Sequence, residues 1–318
     1  MAVKLGNGNW AVKENKLLAY NDNSGRFFNK EFDFSRGSSA TYVGKDGLIK
    51  TSDLQSTNLL QNGNFSELGS QLVTNGDFAT DTDWSKGTGI TISGGSANFT
   101  GNANSFLTQS GVVTLNKTYK ATFTISNYVS GAIDINLGGS TRQGNVNANG
   151  TYTFYISVSS GNILYFQEDF TNGFIGSIDN VSVKQVDPND NWTLGTGWSI
   201  GDGVAKSTQT SSNNYLQQTI STLANNKLYR ITFDLDIISA STTTIGISNT
   251  GSFGQLSGSK RFYTTSGTKT LEALYSNSFP NYIRFVGGAN TEFTITNVSV
   301  KEIKTNTPRI DFSDSTNG

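Results

Sequence analysis

The sequence predicts an all-β protein in which two tandem antiparallel β-sandwiches are inserted into a small β module formed by the two chain ends. Three observations lead there. Helix formers are sparse, whereas Gly, Ser, Thr, Asn and aromatics are abundant, with Gly 35, Phe 20 and Tyr 12 against Met 1; short strands joined by turns have this composition. A long internal duplication fills the middle of the chain, and a repeat of that length is a domain rather than a solenoid unit. Within the repeat, apolar and polar residues alternate with period two, as in sheets with one buried and one wet face.

Taken in order, residues 1–60 read as an N-terminal β region. Within it "KDGLIKTS" (Lys45 to Ser52) looks like one arm of a hairpin, with no matching arm after it. Residues 61–187 form the predicted first sandwich and 188–303 the second. "DTDWSKGTGITISGGSAN" (Asp81 to Asn98) matches "NDNWTLGTGWSIGDGVAK" (Asn189 to Lys206), and Trp84 aligns with Trp192 at an offset of 192 − 84 = 108. "NKTYKATFTI" (Asn116 to Ile125) matches "NKLYRITFDL" (Asn226 to Leu235), and "IDNVSVKQV" (Ile178 to Val186) matches "ITNVSVKEI" (Ile295 to Ile303). The last pair of strands changes parity at Asp179-Asn180 and Thr296-Asn297, which predicts a β-bulge in each copy. "VDPND", with Pro188, links the copies. Finally "IKTN" (Ile303 to Asn306) echoes "IKTS" (Ile49 to Ser52), so residues 304–318 are expected to pair with residues 32–52 and close the outer module. Insertion at a loop is cheap when the ends of the guest lie close together.

Composition also excludes. Lys+Arg 23 against Asp+Glu 24 gives a net charge of −1, with no positive excess to drive contacts with nucleic acid or anionic membrane. Cys 0 removes disulfides, thiolate metal sites and cysteine nucleophiles, and His 0 removes the usual general base and the commonest zinc ligand. No run of about 18 apolar residues spans a membrane, and "MAVKLGNGNW" lacks the apolar core of a signal peptide. Synthesis in a cytoplasm without Sec export is expected.

"FDFSRGSSATYVGKDGLI" followed by "TPRIDFSDSTNG" resembles a signature of tailed-phage virion proteins, fibre and appendage proteins especially. There the two halves usually run together; here about 250 residues intervene, which supports the insertion reading. "AVKLGNGNWAVKENKLLAYND" is similar to the particle-attaching start of such proteins, implying attachment to a capsid or tail protein through Trp10, Leu17, Leu18 and Tyr20. The inserted copies, from "LVTNGDF...W...GG" and "IDNVSV", resemble the jelly-roll carbohydrate-binding-module superfamily. Together the resemblances imply a head or tail fibre or decoration protein on the virion surface, made in the host bacterial cytoplasm. It would be a homo-oligomer (trimer or dimer) and not an enzyme, with host-surface polysaccharide as ligand. A purely architectural decoration protein is the alternative, and a polysaccharide-degrading enzyme a third reading.

The same resemblance implies a structural Ca²⁺ in the first sandwich, held by Asn75, Asp77 and Asp179, since hard oxygen ligands from distant segments would pin its ends. The alternative is a turn at Asn75-Gly76-Asp77 and a solvated bulge at Asp179. Copy two, with Thr296 in place of the Asp and no "NGDF", is expected to lack the site. A duplicate "NGNF" (Asn62 to Phe65) lies 75 − 62 = 13 residues earlier; the later motif is preferred because it directly precedes the Trp84 segment. Sugar binding requires exposed aromatic faces with amides and charges nearby. Candidates are Tyr128, Arg142 and Tyr165 in copy one, and Trp198, Tyr215, Tyr263 and Tyr282 in copy two, each weighed against a core role; Trp84 and Trp192 read as core anchors. For catalysis a glycosidase needs two carboxylates about 5 to 10 Å apart across a cleft, and Glu168-Asp169 or Asp81 with Asp83 read better as surface acids.

Overall fold

The computed structural model describes residues 55–303 except 141, 210–213, 241–244, 249–260, 276–280 and 288–289, together with the backbone of short strands nearer the N-terminus. Those strands form two small sheets. Asn9–Lys13 pairs antiparallel with Lys16–Asn21, Trp10 opposite Tyr20 and Val12 opposite Leu17, and Phe27–Phe28 adds a third strand. Ala40–Val43 pairs with Ile49–Ser52. One partner of "IKTS" therefore lies upstream, in the strand Ala40–Val43. The expected pairing of 304–318 with 32–52 lies outside the described residues, as do the side chains of Trp10, Leu17, Leu18 and Tyr20.

Residues 57–302 form a separate unit holding both sandwiches. In the first, one sheet runs Gln143–Val146, Ile133–Leu137, Leu164–Glu168, Phe106–Gln109, Ser85–Lys86. The facing sheet runs Gly150–Ser157, Thr118–Gly131, Phe174–Val186, Ser96–Thr100, Ile90–Ser93, with Leu68–Gln71 added alongside Phe174–Val186. The second sandwich repeats this order strand for strand. Arg261–Tyr263, Ile245–Ser248, Tyr282–Val286, Tyr215–Thr219 and Thr193–Leu194 face Gly267–Leu274, Leu228–Ala240, Thr291–Ile303, Val204–Gln209 and Trp198–Gly201. Both are antiparallel jelly-roll-type sandwiches, as the duplication predicts.

Period-two alternation builds each core. Tyr119, Ala121, Phe123 and Ile125 point inward from one long strand, and Tyr229, Ile231, Phe233 and Leu235 from its counterpart. Phe123 meets Phe166 edge-on with ring centroids 4.9 Å apart, and Phe233 meets Phe285 likewise at 5.1 Å; each such ring removed from water stabilises by about 1.5–3 kcal/mol. The two tyrosines also bond locally: Tyr119 Oη accepts the Thr114 N–H (2.7 Å) and Tyr229 Oη that of Ala224 (2.8 Å). Burial pushes the Tyr229 hydroxyl above its ordinary pKa. The expected bulges are present, with Asn180 at φ 53° and Asn297 at φ 52°. The extra residue returns Val181 and Val183, and Val298 and Val300, to the core.

The boundary between the sandwiches differs from the expected 61 and 188. Leu60 and Phe65 belong to the second core, not the first. The Trp192 indole N–H donates to Asn62 O at 3.0 Å and its ring lies 5.0 Å from Phe65; in the first sandwich the Trp84 N–H donates to Asn75 O at 3.0 Å with Phe78 at 5.1 Å. Gln218 exchanges both amide bonds with the Gln61 backbone, as Gln109 does with Thr74. Val298 N–H donates to Gly63 O, as Val181 N–H does to Gly76 O, both at 2.8 Å. "NGNF" is thus the entry motif of copy two and "NGDF" that of copy one, so copy two does have such a motif. The first sandwich is inserted into the second just after that motif. Leu59 N–H donates to Val300 O and Gln55 bridges Ile303, so the chain enters and leaves side by side.

The seam between the sandwiches is packed. Val186, from the first sandwich's last strand, lies in the second core, and Tyr155 packs against that core. Asp187 accepts from Asn62 Nδ2 (2.9 Å), Asn191 Nδ2 (3.0 Å) and the Trp192 backbone N–H (2.9 Å), and Lys117 pairs with Asp190.

Candidate ligand-binding faces

On Tyr215–Thr219, Leu216 and Gln218 turn into the core while Tyr215, Gln217 and Thr219 face outward. The neighbouring strand sets Arg284 opposite Gln217 and Tyr282 opposite Thr219. Side chains on one face of adjacent strands touch, and here they stack. The Arg284 guanidinium carbon lies 3.9 Å from the Tyr215 ring centroid and 4.6 Å from that of Tyr282. Its Nε and Nη2 donate to Gln217 Oε1 at 3.0 and 2.6 Å. Arg284 is 8 % exposed, both tyrosine rings remain partly exposed, and neither hydroxyl is bonded among the described residues. A cation held against two rings is worth about 0.5–2 kcal/mol per contact and fixes the platform before any ligand arrives.

The equivalent face of the first sandwich carries Phe106 and Thr108 beside Tyr165 and Gln167, with Asp134 and Asn136 on the next strand. Phe106 meets the Tyr165 ring edge-on at 6.4 Å, and Gln167 Nε2 donates to Asn104 Oδ1 at 2.6 Å. At the rim, the Arg142 guanidinium carbon lies 4.0 Å from the centroid of Phe170, which is 52 % exposed, and Nη1 lies 3.8 Å from Asp134 Oδ2. Each face thus offers aromatic surface with amides and one guanidinium.

Tyr165, Tyr215, Tyr282 and Arg142 therefore lie on or beside the outer faces, and three other candidates do not. Tyr128 folds onto the first core, its ring 6.3 Å from Phe174 and its hydroxyl donating to Gly131 O at 3.2 Å. Trp198 is 8 % exposed and stands edge-on to Phe293 at 5.4 Å, because it occupies the inward position that Ile90 holds in copy one. Tyr263 packs against the second core, edge-on to Phe233 at 5.5 Å. Sequence reasoning missed Arg284, Gln217, Phe106, Gln167 and Phe170. The match of "FLTQ" to "YLQQ" at Phe106–Gln109 and Tyr215–Gln218 carried the signal, since Gln109 and Gln218 were fixed inward and the residues beside them outward.

The three residues expected to hold calcium are engaged otherwise. Asn75 Nδ2 donates to Thr80 O and Thr82 O at 2.7 and 3.0 Å, so its side chain shapes the entry turn. Asp77 Oδ1 accepts from the Ala79 N–H at 3.4 Å, and both Asp179 carboxylate oxygens accept from Asn180. Among the described residues no three acidic side chains converge on one point.

The acids split by environment. Glu168 is fully buried, and its Oε2 accepts the Phe174 N–H at 2.8 Å. Burial pushes its carboxyl up to about 7, against the opposing pull of the Phe174 and Asn102 backbone N–H groups. Asp169 next to it caps a turn, and the Asn172 and Thr171 N–H groups hold its carboxyl below the usual range. Asp81 pairs with Lys86, and Asp83 accepts the Thr82 hydroxyl.

No family model and no curated protein sequence matches the chain. Solved structures similar to it include the N-terminal tandem CBM22 domain of Xyn10C from Paenibacillus barcinonensis, 13 % identical, covering 74 % of this chain and 99 % of that one at a TM-score of 0.32. A fucolectin from striped bass (Morone saxatilis) serum is 13 % identical over 79 % of this chain and 96 % of its own, with a TM-score of 0.25. The tandem CBM51 modules of Sp3GH98, a family 98 glycoside hydrolase from Streptococcus pneumoniae, are 8 % identical over 76 % and 98 %, with a TM-score of 0.21. All these scores lie below 0.5.

Proposed function

We propose that this protein is a phage virion appendage that binds host-surface glycans through the outer faces of its two sandwiches, without chemistry. The observation that carries the binding reading is the Tyr215–Arg284–Tyr282 stack, clamped by Gln217 on the wet side of a sheet. Aromatic rings and planar hydrogen-bonding groups on a rigid sheet suit sugar rings, which offer C–H faces and hydroxyl edges. The virion role rests on the "FDFSRGSSATYVGKDGLI" and "TPRIDFSDSTNG" resemblance, with the N-terminal hairpin as the part that docks on a capsid or tail protein. Many copies per particle, as dimers or trimers, would convert weak contacts into avidity.

The test is an array of bacterial surface polysaccharides probed with the whole chain and with Tyr282→Ala. The variant should lose about tenfold in affinity, the equivalent of about 1.4 kcal/mol. Unchanged binding by Tyr282→Ala together with Tyr215→Ala, or no binding to any host glycan, would remove the outer-face reading.

A further inference from the structure

The cleft where the two sandwiches meet lies apart from the outer faces. It has a volume of about 260 Å³. The first sandwich contributes Leu68, Lys120, Tyr155 and Val186 to its wall. The second contributes its entry motif, at Phe65 and Ser66, and the hairpin turn at Asp202-Gly203. Each part is held in place. Phe65 is 2 % exposed against Trp192, and Val186 is anchored in the second core. Tyr155 lies flat against Gly201, where an added Cβ would come within 2.8 Å of its ring. The cleft is therefore preformed, which lowers the entropy lost on binding.

Its chemistry is mixed. Phe65, Val186 and the 39 % exposed Leu68 give an apolar floor and wall. The Lys120 ammonium sits 5.8 Å from the Tyr155 ring centroid and makes no ion pair, and the Asp202 carboxylate and Ser66 hydroxyl accept or donate no hydrogen bond among the described residues. A cation and a carboxylate that line one cleft without pairing leave room for a group between them. An apolar floor with a few convergent polar groups is the usual make-up of a small-molecule site, and this volume, below the roughly 300–1,000 Å³ of drug-sized pockets, suits a single ring.

We propose that this cleft binds one acidic sugar ring, a hexuronate or its equivalent. Lys120 receives the carboxylate. Asp202 and Ser66 take ring hydroxyls, and the C–H surface rests on the exposed Leu68. This site is independent of the outer faces, so either can fail while the other stands.

Saturation-transfer NMR and isothermal titration of the whole chain with glucuronate, and with glucose as the uncharged control, test the proposal. Glucuronate should bind and glucose at least tenfold more weakly. Lys120→Met should abolish that preference, and Ser66→Trp, at an exposed position that fills the cleft, should abolish binding, both with an unchanged denaturant midpoint and far-ultraviolet circular dichroism. Tyr215→Ala should leave glucuronate binding intact. No binding by the wild type, or binding that survives Ser66→Trp or is lost with Tyr215→Ala, would overturn it.

Discussion

Phe65→Ala tests the nested arrangement of the two sandwiches most directly. Phe65 is 2 % exposed and its ring lies 5.0 Å from that of Trp192, more than a hundred residues later in the chain. Removing a buried phenyl ring loses its transfer free energy and leaves a cavity, about 3–5 kcal/mol together. If residues 57–66 complete the second sandwich, that loss falls on its strands. Amide exchange there should accelerate by roughly 10² to 4 × 10³-fold, each 1.4 kcal/mol being a factor of ten. The reciprocal change, Phe78→Ala, removes a 1 % exposed ring 5.1 Å from Trp84 and should act on the first sandwich by the same amount. Hydrogen-exchange mass spectrometry resolves the two, because peptides from 106–183 and from 215–300 report separately. Phe65→Ala that loosens 106–183 and leaves 215–300 protected would refute the assignment.

Further outcomes follow from local geometry. Gly76→Ala and Gly63→Ala would each place a Cβ 2.1 Å from a backbone carbonyl, of Val181 and Val298 respectively; each should lower its sandwich's stability by about 1–3 kcal/mol in denaturant titration, as backbone must move. Glu168 binds its proton more tightly folded than unfolded, so its contribution to stability is full below pH 4.5 and is lost as pH rises through about 7. The wild type should lose about 3 kcal/mol of first-sandwich stability between pH 4.5 and 8 on this account, and Glu168→Gln should flatten that window in denaturant midpoints read at both ends. Arg284→Lys keeps the charge but not the planar two-sided stack, and should weaken glycan binding about as much as Tyr282→Ala does in the same array.

Much of the fold was legible because both copies state it twice. The match of "GTGITI" to "GTGWSI" fixed a strand, and the parity change before Val181 and Val298 fixed a bulge that appears at Asn180 and Asn297. The same alignment placed Trp198 at the inward position of Ile90, so its core role was readable. Tyr128 and Tyr263 were not so placed: each lies beside a turn or edge, where alternation no longer states which way a ring points. The ownership of "NGNF" could not be read from spacing, because its partners Trp192, Gln218 and Val298 are brought to it only by folding. The Arg284 stack stayed hidden because a lone arginine in an apolar strand reads as an exception until the flanking strand supplies Tyr215 and Gln217.

Nesting explains why the seam between the sandwiches is polar as well as packed. An inserted domain adds two chain crossings at one point of its host, here between Phe65 and Leu68 on entry and between Val186 and Trp192 on return. Backbone groups in such a crossing lose water and must find partners. Asp187 supplies them: its carboxylate accepts the Trp192 N–H and the amides of Asn62 and Asn191, while its own N–H donates to Glu67 O. Glu67 in turn accepts from the side chains of Asn189 and Asn191. Two carboxylates, each satisfied by several N–H donors, thus bind both crossings to each other and to the entry motif of the host. Loop closure costs grow only slowly with length, so a host can accept a whole domain at such a point provided the guest's ends are pinned together. Asp187 and Glu67 do the pinning, and the "VDPND" segment that reads as a linker in sequence is in the folded protein the clasp of the insertion.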